Sequence, residues 1–415
     1  MKDPGTALRT YPRLAPGNFF VPRRFARVPR RYEELGVCAI IPTHAPDALT
    51  LRLVLDLLRW NEKLHVLVVD DCSPRERDNT HFFKKVAAIP NRVTLLRTPE
   101  NRLKASALNF ALTHIQEHFT HLPDVVVTLD DDVVIAQETV QVLVRGLMDS
   151  PHLGAVCSQC RVYNKNENLL TRLQGLEYLG FNAIRLADEG FINGPLVMHG
   201  MLAAFRAEAL LAVGGFAEGH LIEDYEITMR LKERGWHVRS VQEAPAWTRV
   251  PSTLRGLWRQ RTRWSYGGIT VVSAARSPLS VFQDILGHTL FLSMLALIGV
   301  LFFSRGEGHV PPYLAELVIT IALVQLGISY AFQLWLMRLY KEKDVLDWLL
   351  RLSLVPEFAY SYLMTFALLG SYVFHFFVVC KRPRGRRGLA VAIENLFRTL
   401  GYAERQWGTR ATHTI

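Results

Sequence analysis

Over the first 250 residues, short apolar runs closed by a polar or chain-breaking residue alternate with stretches of helical period. Residues 37–43, Val-Cys-Ala-Ile-Ile-Pro-Thr, read as a buried strand. A helical pattern over Leu49–Trp60 follows, then a second strand, Leu64–Val69, that ends in Asp70-Asp71. Leu103–Phe119 is amphipathic, Val125–Leu129 is a third strand ending in Asp130-Asp131-Asp132, and a further helix is expected to begin near Glu223. Strands alternating with helices predict an α/β fold around an open, mainly parallel sheet, with ligands beyond the carboxyl ends of the strands. Both aspartate clusters fall at such ends, where a nucleotide is expected.

After Pro251 the pattern changes. Thr253–Trp264 sets Trp and Leu against Arg, which suits a helix in a membrane interface. Ile285–Phe303, Leu317–Met337 and Phe358–Cys380 then carry no Asp, Glu, Lys or Arg. Each is long enough to span a hydrocarbon core of about 30 Å, and all three are expected to be membrane helices. Basic residues at Arg338, Lys341, Lys343 and Lys381–Arg387 favour the cytosolic side. A single span between those groups would separate them, so residues 345–355, before Pro356, are expected to enter shallowly and return.

Charge is concentrated at the ends. Residues 1–36 hold eight Lys/Arg against three acids, residues 381–415 hold eight against two, and the chain total is +10. The intervening chain is therefore close to neutral, which argues against a nucleic-acid partner despite the basic pI. The basic ends suit anionic lipid instead, or a solvated tail. The first 36 residues contain no apolar stretch of signal-peptide length, so the 37–250 region is expected in the cytosol. Cys38, Cys72, Cys157, Cys160 and Cys380 are expected to be reduced there. Cys157 and Cys160 have no second Cys or His pair near them to build a zinc site.

Several short motifs carry candidate chemistry, and each alone has a plainer reading. Asp130 and Asp132 sit two apart at a strand exit, as hard oxygen ligands for Mg²⁺ or Mn²⁺ against a diphosphate, or as a solvated turn. Asp70-Asp71 could accept hydrogen bonds from a base or ribose. Lys104, with Asn109 on the same helix, is a phosphate-seeking cation or an exposed helix lysine. Glu223-Asp224 supplies a carboxylate that takes a proton from an attacking hydroxyl, or one that complements a helix dipole. In Gln260-Arg261-Thr262-Arg263-Trp264, Gln260 and Arg263 share a helical face with Trp264 beside them. Arginine forks phosphate oxygens and tryptophan packs on a sugar ring. The same residues also suit an interfacial helix with snorkelling Arg and a belt Trp.

Taken in order, Ile40-Ile41-Pro42-Thr43, Val68-Val69-Asp70-Asp71-Cys72-Ser73, Lys104-Ala105, Leu129-Asp130-Asp131-Asp132, Ala204-Phe205-Arg206, Gly214-Gly215-Phe216, Ile222-Glu223-Asp224 and Gln260–Trp264 resemble the signature of family 2 glycosyltransferases. The resemblance is to the processive membrane synthases of cellulose, chitin, hyaluronan and poly-N-acetylglucosamine. It implies a GT-A-type nucleotide-sugar-binding domain over 37–250, an interfacial segment over 251–280, a helical membrane region over 281–380, and basic ends at 1–36 and 381–415. It also implies an inverting, processive polysaccharide synthase that takes a UDP-sugar, extends a growing β-linked polysaccharide acceptor and exports it. Transfer of a single sugar to a polyprenyl phosphate or other lipid is the alternative.

By the same resemblance Asp224, with Glu223 beside it, is the catalytic base region. Pro42, Thr43, Asp70, Asp71, Lys104, Asp130, Gln260, Arg263, Trp264 and Arg410 bind substrates, and Asp130 and Asp132 hold the divalent metal. Val250–Gly268 is most similar to poly-N-acetylglucosamine synthases, and Trp407-Gly408-Thr409-Arg410 resembles a motif that closes over the nucleotide. Cys72 stands where the family usually has Gly, and Asp131 fills a commonly small position. Membrane helices usually precede the catalytic domain in such synthases, whereas this chain has a basic arm there. A small membrane subunit or a homo-oligomer is therefore an expected partner, beside membrane lipid.

Overall fold

The alternation of side chains along a strand sets the layering of the first domain. In β1 (Val37–Thr43), Val37, Ala39 and Ile41 enter one apolar cluster while Cys38 and Ile40 enter another. The computed structural model describes residues 32–74, 76–189, 192–304, 312–380 and 387–402. From β1 the chain runs through α1 (Ala48–Trp60), β2 (His65–Asp70), α2 (Arg77–Ala87), β3 (Val93–Arg97) and α3 (Lys104–His118) to β4 (Val125–Leu129). Asp47 opens α1 with a capping box, accepting from the amides of Leu49 and Thr50. β1 pairs in parallel with β2 and with β4, and β2 in parallel with β3. Leu53, Val54, Leu57, Phe82 and Val86 of α1 and α2 cover one face, and Leu108, Ala111, Leu112 and Ile115 of α3 the other.

The rest of the domain comprises β5 (Val134–Ile135), α4 (Thr139–Met148), β6 (Leu153–Val162), α5 (Leu169–Ala187), β7 (Leu202–Arg206), α6 (Ala207–Ala212), α7 (Glu223–Glu233) and β8 (His237–Thr248). The eight strands lie in the order β3-β2-β1-β4-β7-β6-β8-β5. β7 runs antiparallel to β4 and β6, β6 is parallel to β8, and β5 is antiparallel to β8. The sheet is thus parallel on the β1 side and mixed beyond β4.

Five helices follow: α8 (Leu254–Ala274), α9 (Phe282–Ser304), α10 (Pro312–Leu336), α11 (Val345–Ser353) and α12 (Val355–Cys380); α13 (Arg387–Thr399) comes last. α9 and α10 contain apolar segments of 20 and 21 residues that are long enough to cross a bilayer, and among the described residues the most apolar stretch of each holds no buried residue, whereas Leu336 at the end of α10 is buried. The third uncharged run differs from these two. α12 passes the same test only together with α11, and the pair is bent by 70°. The break falls at Leu354, whose φ is +60°. One face of α12, with Tyr360, Ala367, Ser371 and Phe374, is buried. Tyr266 of α8, Phe397 of α13 and Tyr402 pack around Phe374.

α8 is likewise more enclosed than its basic pattern suggests. Leu257, Gln260, Arg261 and Thr262 are all buried, so Arg261 does not snorkel to a surface. The segment after α10 docks onto the first domain through charge. Lys165 Nζ bonds the carbonyl of Glu342 at 2.6 Å and Asp347 Oδ2 at 2.8 Å, and Arg172 reaches Asp344 at 2.6 Å and Asp347 at 2.9 Å. Asp344 and Asp347 also form the capping box of α11. The expected shallow entry at 345–355 is therefore a short helix anchored to the first domain and a sharp bend. Residues 1–31, Lys381–Arg386 and Trp407–Arg410 lie outside the described residues.

Candidate active site

A cavity of about 610 Å³ opens beyond the carboxyl ends of β1 and β4 and extends to α7, α8 and the start of α9. Lys104, the first residue of α3, lines it. Its Nζ lies 2.6 Å from Asp130 Oδ1, 2.6 Å from Glu223 Oε1 and 3.1 Å from the carbonyl of Gly200. A Cβ at position 200 would stand 2.8 Å from Lys104 Nζ and 3.1 Å from Glu223 Oε1, so any side chain there would push on the Lys104–Glu223 ion pair. Burial works against the Lys104 charge, but Asp130, Glu223 and Asp224 reverse that and hold its pKa above normal.

The two acids at the start of α7 separate in character. Burial alone would raise both. The Lys104 ion pair outweighs burial at Glu223 and lowers its pKa, whereas burial and the charge of Glu223 raise Asp224 to about 6. Asp224 is held by backbone only: Oδ2 accepts from the Gly200 amide and Oδ1 from the Tyr225 amide, each at 2.8 Å. A carboxylate held in this way, titrating near neutrality and lining a cavity, is suited to accept a proton.

Asp130, Asp131 and Asp132 all line the cavity. Asp131 Oδ2 accepts from Thr43 Oγ1 at 2.6 Å, so fully buried Thr43 acts on the site through Asp131, while Pro42 lines it directly. Asp132 Oδ1 lies 3.3 Å from Thr248 Oγ1. Among the described residues no group of three or more metal-ligating side chains occurs. Two carboxylates completed by phosphate oxygens and water are a donor set of the kind Mg²⁺ takes, so Asp130 and Asp132 fit a divalent metal that arrives with a diphosphate.

Asp70 and Asp71 are buried and do not line the cavity. Asp70 pairs with Arg97 and accepts from the Ser73 amide at 2.8 Å. Asp71 accepts from Thr98 Oγ1 at 2.9 Å and from the amides of Arg102 and Leu103 at 3.2 and 3.1 Å. Asp71 thus fixes the loop that leads into Lys104, while Asp70 ties the end of β3 to the turn after β2. Cys72 has φ of +54°, the left-handed region, which explains why glycine suits this position. Asn109 does not enter the cavity; it brackets the backbone of Phe216 at 2.8 and 2.9 Å.

Gln260, Arg263 and Trp264 of α8 line the cavity as their spacing predicts. Arg263 donates to the carbonyl of Leu221 at 3.2 Å, and its Nε is buried with no partner. Trp264 faces Phe181 of α5 with ring centroids 6.5 Å apart. Arg261, which spacing alone left without a role, stacks on the Trp264 ring at 4.1 Å and pairs with Glu177; Tyr360 donates to the same carboxylate at 2.7 Å. Burial opposes the Arg261 charge, and Glu177 with Tyr360 and Tyr178 holds its pKa above normal.

Sequence reasoning also missed the far end of the cavity, lined by Tyr225, Asp284 and His288. Tyr225 donates to Asp284 at 2.7 Å, and His288 lies 2.9 Å from Asp284. An ionisable pair spaced i, i+4 at the head of an apolar run was the available signal. Arg410 falls outside the described residues.

A family model described as glycosyl transferase family group 2 matches residues 125–378. The poly-β-1,6-N-acetyl-D-glucosamine synthase of Staphylococcus aureus (strain COL) is 28% identical over 211 residues, 51% of this chain and 49% of that protein. The probable glycosyltransferase YdaM of Bacillus subtilis (strain 168) is 30% identical over 240 residues, 57% of this chain and 56% of that protein. The chain thus matches about half the length of each relative. The mannosyltransferase PcManGT of Pyrobaculum calidifontis, solved with GDP-Man and Mn²⁺, shares the fold at a TM-score of 0.50 and 23% identity, over 73% of this chain and 85% of that one. The family match spans more than half of the 415 residues, and the chain belongs to glycosyl transferase family group 2.

Proposed function

We propose that this chain is the catalytic core of a membrane-bound, inverting polysaccharide synthase. It transfers the sugar of a UDP-sugar, with UDP-N-acetylglucosamine as first candidate, to a growing β-linked glycan at the cytosolic face of the plasma membrane. The observation that carries this reading is one cavity shared by Asp224, by Asp130 and Asp132, and by Gln260, Arg263 and Trp264. The likeness to the staphylococcal synthase suggests the sugar, and the apolar α9 and α10 suggest the bilayer.

In a single displacement, the acceptor oxygen bonds to the anomeric carbon from the face opposite the nucleotide. Its proton passes to Asp224, and the bond from that carbon to the diphosphate oxygen breaks, so configuration inverts and UDP leaves. The Gly200 and Tyr225 amides fix the orientation of the base. Lys104 and Arg263 place positive charge around the leaving diphosphate. Mg²⁺ or Mn²⁺ on Asp130 and Asp132 would neutralise charge on that group. Pro42, Thr43, Asp70 and Asp71 shape the nucleotide end, directly or through the loops they hold, and Arg410 closes over it. Gln260 and Trp264 hold the acceptor sugar, and a small membrane subunit or a second copy completes the exit.

Purified protein in lipid, supplied with Mg²⁺ or Mn²⁺ and single UDP-sugars, is expected to release UDP with one of them and to yield long polymer. Only short lipid-linked product would replace the synthase by an enzyme that moves one sugar to a lipid. No UDP release from any sugar would sink both readings.

A further inference from the structure

We infer that Asp284, in the first turn of the apolar helix α9, is a positioning residue for the catalytic base, holding the hydroxyl of Tyr225, the residue next to Asp224. This rests on the synthase reading and adds a residue that belongs to none of its motifs. Tyr225 is tied at both ends. Its amide donates to Asp224 Oδ1 at 2.8 Å, and its hydroxyl donates to Asp284 Oδ2 at 2.7 Å. Burial and the charge of Asp284 push the phenol pKa above its ordinary value, so the hydroxyl keeps the proton it donates. Asp284 is oriented in turn. His288, one turn on in α9, meets its other oxygen through Nε2 at 2.9 Å; a carboxylate only accepts, so Nε2 carries the hydrogen. Nδ1 of the same ring meets the hydroxyl of Tyr372 on α12. A hydrogen-bonded path therefore runs from α12 through α9 to the base.

An acid in the first turn of a helix ordinarily complements the helix dipole. Asp284 does more than that. It lies in a segment apolar enough to cross a bilayer, where an ionisable side chain is costly, and it commits both oxygens to fixed partners beside the cavity. The far end of α7 is fastened to the same stretch of chain. Glu233 Oε1 accepts from the amides of Arg276 and Ser277 at 3.0 Å each, shortly before α9. Helix α7 is thus joined to α9 at its start and to the approach to α9 at its end. With Glu233 in place, loss of the Tyr225 hydroxyl frees the turn that carries Asp224 without undocking the helix. The ring keeps its place among Ile222, Met229, Val271 and Val281. A general base works only within hydrogen-bond reach of the proton it takes, so a small drift of that turn lowers turnover rather than binding.

The test uses the purified chain in lipid, with the UDP-sugar that the wild type turns over and a short oligosaccharide acceptor, each over a range of concentrations. Tyr225→Phe and Asp284→Leu are each expected to lower kcat about tenfold, with the KM of both substrates within about twofold of wild type. Both remove the same hydrogen bond, so the double variant is expected to stay within about twofold of either single one. Asp284→Asn keeps an oxygen for the hydroxyl and is expected to lose less than Asp284→Leu. Losses that multiply to about a hundredfold in the double variant, or an unchanged kcat in both single variants, overturn the inference. So does a rise in acceptor KM at unchanged kcat, which makes Asp284 a direct contact of the acceptor. If Asp284→Leu does not fold, Tyr225→Phe with and without Asp284→Asn carries the test. Once the hydroxyl is gone, the second change is expected to add no further loss, and a further loss overturns the inference. Absence of UDP release by the wild type would instead remove the synthase reading itself.

Discussion

Lys104 and Lys165 are both lysines set among carboxylates, yet one faces a cavity and the other is closed in. Lys165 spends its ammonium on the Glu342 carbonyl, Asp344 and Asp347, and Arg172 binds the same two acids. None of these groups lines the cavity, and the cluster fastens α11 to the first domain. Around Lys104 the charges do not close. Asp130 and Glu223 are paired, but Asp224 beside them is left with backbone amides and a raised pKa, facing open space. Charge clusters of similar composition therefore divide by what remains unmet: the satisfied one holds the structure and the unsatisfied one awaits a substrate.

The largest expected effect tests the open cluster. Asp224→Asn should lower transfer by about three orders of magnitude with UDP-sugar affinity preserved, measured as single-turnover UDP release and by calorimetry. Undiminished turnover would remove Asp224 as base. In the closed cluster, Lys165→Met leaves Asp347 fully buried with one partner fewer, and a loss of about 3 kcal/mol in unfolding free energy is expected. Adding Asp347→Leu should recover part of it. If Lys165→Met instead abolished transfer at unchanged stability, the division drawn above would fail.

At Trp264→Ala, loss of the ring contact should cost about 2 kcal/mol in acceptor binding, seen as short products while UDP-sugar hydrolysis persists. Normal polymer length would contradict the acceptor role. The acid limb of kcat/KM supplies a milder test. Asp224 accepts a proton only when ionised, so activity should fall about tenfold per pH unit below a pKa of about 6 and level off above it. The smallest effect is expected at Tyr360→Phe, which removes the hydroxyl shared with Glu177 and Arg261. A loss of about 1 kcal/mol should appear in stability, with a modest rise in acceptor KM as Trp264 loosens.

Much of the site was legible because strand ends and helix starts are local features. The apolar runs before Asp70 and Asp130 marked β2 and β4, and the pair after Ile222 marked the start of α7. The far half of the sheet was less readable, since β6, β7 and β8 pair across long separations that no local pattern encodes. Asp70 and Asp71 show the limit at single residues. Their position at a strand end was evident, but the use of Asp70 in tying down β3 and of Asp71 in holding the loop to Lys104 depended on Arg97, Thr98 and Leu103 coming back to meet them.

The sequence by itself determined the element types, the order of the motifs and the apolar character of α9 and α10, because periodicity and uncharged length are properties of a contiguous chain. Only the tertiary structure decided which charges neutralise one another. It set Asp224 apart from Glu223 through Lys104, seated Arg261 on Trp264 with partners from α5 and α12, and turned the third apolar run into a helix half covered by α8 and α13. Burial and pairing are relations between distant residues, and they fix pKa and orientation only once the chain has closed on itself.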